Sequence, residues 1–178
     1  MVWLTPAEAR TAMRVGKMPK NVDWYGGFVG LFPCIAIWAV SAVFVFIETS
    51  DSNRLQAIPA FIIFGLLCGY GIYCLLKERE VTPLETGLNL ASNRKLAESA
   101  FNHLGWSIQQ NNKHVIQAMI PSQWLGTGQV VVVLIKDGEL HINTMNQSTG
   151  KGRLPFFLSD SREKTALFIR TVERLNLA

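Results

Sequence analysis

Three stretches of the chain carry residue types that could do chemistry, and each can be held against the spacing that chemistry requires. Gly150-Lys151-Gly152-Arg153 follows a strand-like run, the setting in which glycine-rich loops cradle phosphate with backbone amides and a lysine. A Walker loop needs Gly, four residues, then Gly-Lys-Ser/Thr. Here Met145 stands in the place of the first glycine, and Gly152-Arg153 follows Lys151 where a hydroxyl for magnesium is needed. Leu154-Pro155-Phe156 also separates the loop from any helix N-terminus that would add amides and dipole. Lys151 and Arg153 are therefore expected on an exposed connection, able to contact phosphate only as surface charge.

The second stretch, Gly126-Thr127-Gly128, leads into a strand, the reverse of the order in a dinucleotide fingerprint. In the third, His141 alternates with Glu139 and Asn143 on one strand face. That pattern is commoner on a solvated surface than in a catalytic set, and no Gly-x-Ser-x-Gly elbow accompanies it. His103, His114 and His141 are scattered, while Cys34, Cys68 and Cys74 all fall in apolar runs. Without a His-x-x-x-His or paired-carboxylate spacing, no metal site and no cofactor is expected. From Lys77 onward there are twelve basic and nine acidic side chains and no basic run, so no nucleic-acid partner is expected despite a pI near 9.1.

What positions these stretches is a chain of two characters. Apolar residues make up 49% of the 178 positions, and the surplus is concentrated in 26–47 and 57–76, neither of which contains a charge. About 20 residues at 1.5 Å rise cross a hydrocarbon core of roughly 30 Å. Helices apolar all round would need a far larger soluble protein to bury them, so both runs read as transmembrane helices. Cleavage of the first run as a signal peptide, after small residues at 39–41, competes with this reading. The 25 residues ahead of the run and its apolar continuation to Ile47 favour an uncleaved anchor.

Basic residues set the expected orientation. Arg10, Arg14, Lys17 and Lys20 precede the first run, and Lys77 and Arg79 follow the second, whereas the 48–56 connector has only Arg54. The positive-inside rule places both termini in the cytoplasm and the connector outside, in an inner membrane crossed twice. Neither run holds an ionisable acid, base or histidine, which argues against an ion path formed by this chain alone. Gly26/Gly30 and Gly65/Gly69 place small residues at four-residue spacing, a pattern that lets helices approach closely within the hairpin or against a partner.

Within 1–25, Thr5-Pro6-Ala7-Glu8 is a capping-box start with proline at the first helical position. Arg10, Arg14 and Lys17 share one face of that short helix, while Trp3, Leu4 and Met13 supply apolar contacts. Such a helix either lies on an anionic leaflet or simply fixes topology. After a charged juncture at 77–86, residues 87–178 read as α-β-β-β-β-α. The helices start near Asn89 and Asp160, and Asp137-Gly138 marks a two-residue hairpin. LPFFL (154–158) could add an edge strand.

The hairpin pairs Lys136 with Glu139, Ile135 with Leu140, Leu134 with His141, Val133 with Ile142 and Val132 with Asn143. Ile135, Leu140, Val133 and Ile142 then face the two helices, while Val130, Val132 and Leu134 line the other face beside His141. That apolar stripe, if uncovered, is a candidate binding surface. The expected fold is a membrane protein: a two-helix transmembrane hairpin, then a small α+β two-layer cytoplasmic domain with an antiparallel meander sheet.

The function expected of such a chain is that of a non-enzymatic interaction or accessory module in the lipid bilayer, as a homo-oligomer or docked on a membrane-protein partner. Two other classes compete. One is a membrane-surface enzyme acting on lipid-linked or phosphorylated substrates near Lys151, Arg153 and His141. The other is an accessory subunit of a transporter.

Overall fold

The computed structural model describes residues 4–20, 22–47, 50–120, 128–146 and 158–177. The two apolar runs form a helical hairpin, α2 (Val22–Phe46) and α3 (Asp51–Glu78), both long and apolar enough to cross a membrane. Much of the 48–56 connector is helical rather than looped. Ser50 takes an extended N-cap backbone and Asp51 puts a carboxylate in the first turn, where the helix dipole favours it. From that first turn Arg54 Nε donates to the Val45 carbonyl at 3.1 Å, satisfying one of the last four carbonyls of α2. Midway along, Trp38 stacks on Phe61 with ring centroids 5.7 Å apart, and Phe46 meets the same ring edge-on.

The residues after the hairpin hold a five-stranded antiparallel sheet in the order β1-β5-β4-β3-β2. Its strands are β1 (Thr82–Glu85), β2 (Ser107–Asn111), β3 (Val115–Ile120), β4 (Gln129–Lys136) and β5 (Glu139–Asn146). The β4–β5 register pairs Lys136 with Glu139, Ile135 with Leu140, Leu134 with His141, Val133 with Ile142 and Val132 with Asn143, as the two-residue turn requires. Gly138 takes φ +81° in that turn. The α-β-β-β-β-α order holds from α4 (Leu90–His103) to α5 (Leu158–Asn176).

Strand β1 is an addition to that order. It lies in the charged juncture, where four residues containing Pro83 give no strand signal. Proline is nonetheless tolerated on an edge strand, and β1 pairs only with β5, Thr82 opposite Ile142 and Leu84 opposite Leu140. The edge strand suggested for 154–158 lies outside the described residues except for Leu158, which opens α5.

One face of the sheet carries α4 and α5. Val131, Val133, Ile135, Leu140 and Ile142 pack there with Leu96, Phe101, Phe168 and Val172. Gly105, at φ +67°, turns the chain so that the Trp106 amide reaches the Phe101 carbonyl at 3.0 Å and the two rings meet.

The other face is not open. Helix α1 (Pro6–Val15), started by the Thr5/Glu8 capping box and stopped by left-handed Gly16, lies across it. Leu4, Ala9, Ala12 and Met18 bury Val115, Val132 and Leu134 in a second core. The expected two-layer domain is thus three layers deep. The reason is that α1's apolar face meets valines of its own chain, leaving Arg10 and Arg14 exposed on the far side.

Candidate functional site

The polar groups with the most specific geometry gather where the hairpin meets the sheet. A helix leaves its last four carbonyls without intrahelical donors, and burial makes each unpaired one costly. At the end of α3 two side chains distant in sequence supply the donors. The Trp24 indole donates to the Leu75 carbonyl at 2.8 Å. The Asn143 carboxamide donates to the carbonyls of Glu78 and Glu80 at 2.8 and 2.7 Å. Glu78 is only 6% exposed, and its Oε1 accepts from the Asn146 amide at 3.0 Å and from Asn146 Nδ2 at 3.3 Å.

The segment leaving α1 joins the same junction. Lys17 and Glu80 form an antiparallel bridge, Met18 and Arg79 bond through backbone at 2.8 Å, and Arg79 Nε donates to the Met18 carbonyl at 2.8 Å. Lys20 Nζ and the Arg79 guanidinium lie 5.6 and 5.3 Å from the Trp24 ring centre, within cation–π range. Hairpin, N-terminal segment and β5 are therefore pinned at one point.

Beside this junction a groove of about 330 Å³ opens between the end of α3, strand β5 and the first turns of α5. Lys77 reaches across its wall to Glu80 at 2.9 Å. Thr144 and Thr165 share a hydrogen bond at 2.8 Å.

The described site residues expected from sequence are not gathered in one place. Val132 and Leu134 are 1% and 0% exposed beneath α1, and Val130 packs half-buried at that core's margin. The stripe is thus filled by the chain itself. His141, on the same sheet face, is nearly buried and contacts Glu139 Oε2 at 3.0 Å through Nε2. Lys136, then His141, hold the Glu139 carboxyl below its ordinary range by hydrogen bonding. The pair is a hydrogen bond between two residues on the same face of β5.

Of the four expected packing glycines, Gly65 lies against Trp38, where a Cβ would sit 2.9 Å from the indole nitrogen. Gly69 faces open space, and Gly26 and Gly30 are half-buried. The tightest approach, where an added Cβ would meet Leu75 of the other helix, is at Gly27, which the four-residue spacing passes over. Among the basic residues, Arg10 Nε turns back to the Pro6 carbonyl at 3.3 Å, and Lys17 and Lys20 belong to the junction. Lys151, Arg153, Trp3 and the Gly126-Thr127 part of the second glycine stretch lie outside the described residues. Among the described residues, no three or more His, Cys, Asp or Glu side chains come together as a metal site.

Asn143, Asn146 and Glu78 are what sequence reading missed. Their signal is an amide at an otherwise apolar strand position and a carboxylate closing an apolar run, each needing a buried partner. The chain matches no protein-family model and no curated protein, so its role has to be read from this geometry.

Proposed function

We propose that the chain is a two-pass inner-membrane protein, non-enzymatic, that holds a rigid α+β domain against the cytoplasmic face and works as an accessory or docking module. The carrying observation is the hairpin's surface. Phe32, Val40, Phe46, Ile63 and Leu66 are exposed on helices that pack on one another along one side only. In water such a surface is far beyond the apolar patch a monomer carries, while in lipid it is the ordinary outer face of a membrane helix.

Orientation follows from the basic collar of Lys17, Lys20, Lys77 and Arg79 at the junction, against the lone Arg54 at the opposite end. The domain has both sheet faces covered, so association falls to the hairpin. Gly69, with nothing within 4 Å of a Cβ built on it, leaves a shallow place for another helix, either of a second copy or of a larger membrane protein.

The test is photo-cross-linking from position 66 or 69 in native membranes, after alkaline extraction has shown whether the chain is integral. Capture of a second copy or of one membrane protein, from these positions and not from Leu177, is the expected result. Release by alkali overturns the membrane reading. Absence of any adduct from an integral chain overturns the docking role.

A further inference from the structure

The basic collar at the sheet end of the hairpin has a geometry that orientation alone does not require. Its centre is Trp24. The indole nitrogen donates to the Leu75 carbonyl at 2.8 Å, and Tyr25 and Phe28 each meet the ring edge-on with centroids 5.0 Å away. Against this ring lie two cations, Lys20 Nζ at 5.6 Å and the Arg79 guanidinium at 5.3 Å from its centre. Arg79 Nε is committed to the Met18 carbonyl, which fixes the guanidinium and leaves its terminal amino groups as donors.

Neither cation has a carboxylate partner. Lys20 and Arg79 form no ion pair with any described residue, and the same holds for Lys17, whose backbone bridges Glu80, and for Arg162, beside Lys77. The acids of the junction are taken: Glu80 by Lys77 at 2.9 Å, and Glu78 by the Asn146 amide and side chain. Lys20 and Arg79 are separated by no more than their two distances to the ring centre, about one Debye length at 0.1 M salt. They repel one another, and an anion beside them removes that repulsion. Lys17 and Lys20 are exposed and Arg79 is half-buried, so an anion can reach them.

Height along the hairpin decides which anion. Leu75 is next to the last residue of the apolar run 57–76, so a ring bonded to its carbonyl marks the edge of the hydrocarbon. The headgroup layer extends roughly 5–8 Å beyond that edge. Cations lying 5.6 and 5.3 Å from the ring centre are therefore within reach of lipid phosphates.

We propose that this collar binds the headgroups of anionic phospholipids, taking phosphate on Lys20 and Arg79 and selecting net negative charge over zwitterionic headgroups. The proposal rests on the membrane reading above. A phosphatidylglycerol headgroup offers its phosphodiester with no opposing cation. A choline headgroup has the same phosphodiester, but its quaternary ammonium adds positive charge beside Lys17, Lys20 and Arg79.

The experiment uses the full chain, delipidated in detergent, with equal amounts of phosphatidylglycerol and phosphatidylcholine of the same acyl chains, read by native mass spectrometry. The anionic lipid should be retained about fivefold more, the effect of roughly one cation at the surface, and added salt should shrink that ratio. K17Q/K20Q should bring the ratio close to equality. K95Q/K113Q, which removes the same charge from exposed positions on α4 and in the turn before β3, should preserve it. Unchanged melting temperatures show that both variants fold. Equal retention of the two lipids by the wild type overturns the proposal, as does a preference that survives K17Q/K20Q or falls equally in K95Q/K113Q.

A second arm adds millimolar inorganic phosphate at constant ionic strength. Loss of the lipid preference there assigns the collar to a soluble anion and overturns the lipid source, whereas a preference that persists supports it. A chain that retains neither lipid overturns the membrane reading itself, so its failure is distinct from equal retention, which removes only the selectivity of the collar.

Discussion

The side-chain amide of Asn143 lies 2.8 Å from the carbonyl oxygen of Glu78, joining the middle of the sheet to the last residue of the long apolar helix. Asn143 thus ties the sheet directly to the end of the hairpin, beside the Trp24 and Arg79 contacts. Asn143→Leu keeps the branched shape but removes the donor to the Glu78 and Glu80 carbonyls, and should cost about 2–4 kcal/mol. Hydrogen exchange should show it locally, with the amides of Met18 and Val81, which bond across the same junction, losing protection before the core of β4 does. Equal loss throughout the domain would mean that Asn143 supports the fold generally and does not couple hairpin to sheet.

Burial of Val132 and Leu134 under α1 has its own test. In a background with Cys34, Cys68 and Cys74 replaced, Val132→Cys should resist a maleimide that modifies exposed thiols within minutes. Ala12 is 1% exposed against this face, so Ala12→Arg brings a charge and a long side chain into a closed space. A cost of about 3 kcal/mol or more is expected, enough to lift α1 and make position 132 reactive. The helices on the other face should stay folded, since their core is separate.

Much of this was legible in the residues, and the remainder was hidden for a definable reason. Asp137-Gly138 determines the β4–β5 register because a two-residue turn allows one pairing, and every pair expected from it is present. Thr5-Pro6-Ala7-Glu8 likewise announces the start of α1 by local chemistry. The destination of α1 was not legible. A short helix with Leu4, Ala9 and Ala12 on one side and Arg10 and Arg14 on the other looks the same whether its partner is lipid or a valine-rich strand. The junction stayed hidden for a related reason, because Asn143 and Glu78 are 65 residues apart and hydrogen bonds between them leave no periodic trace.

The capping box gives α1 a pH dependence whose sign can be worked out. Hydrogen bonds from the Thr5 backbone amide, then from its hydroxyl, hold the Glu8 carboxyl below its ordinary value. A carboxylate depressed on folding contributes stability above its unfolded pKa, about 4.3 for glutamate, and loses that contribution as pH falls through the lower folded value. Exchange at the Ala9 amide, which bonds the Thr5 carbonyl at 3.0 Å, should therefore speed up below about pH 4, after correction for intrinsic rates. Glu8→Gln should remove the pH dependence. Thr5→Ala should weaken α1 by about 1 kcal/mol at neutral pH.

Two glycines on the hairpin separate internal packing from external association. A side chain at Gly27 collides with Leu75, which is fully buried and has no space to swing into, so Gly27→Leu should cost about 1–3 kcal/mol and loosen the hairpin. At Gly69 nothing lies within 4 Å of an added Cβ, and Gly69→Leu should leave the isolated chain's stability within about 0.5 kcal/mol of the wild type. In membranes the order should invert. If Gly69 admits a neighbouring helix, its replacement by leucine should abolish the adduct captured from position 66 without changing expression or membrane integration. An adduct that survives Gly69→Leu would place the docking face elsewhere on the hairpin, around the exposed Phe32 and Val40 of α2.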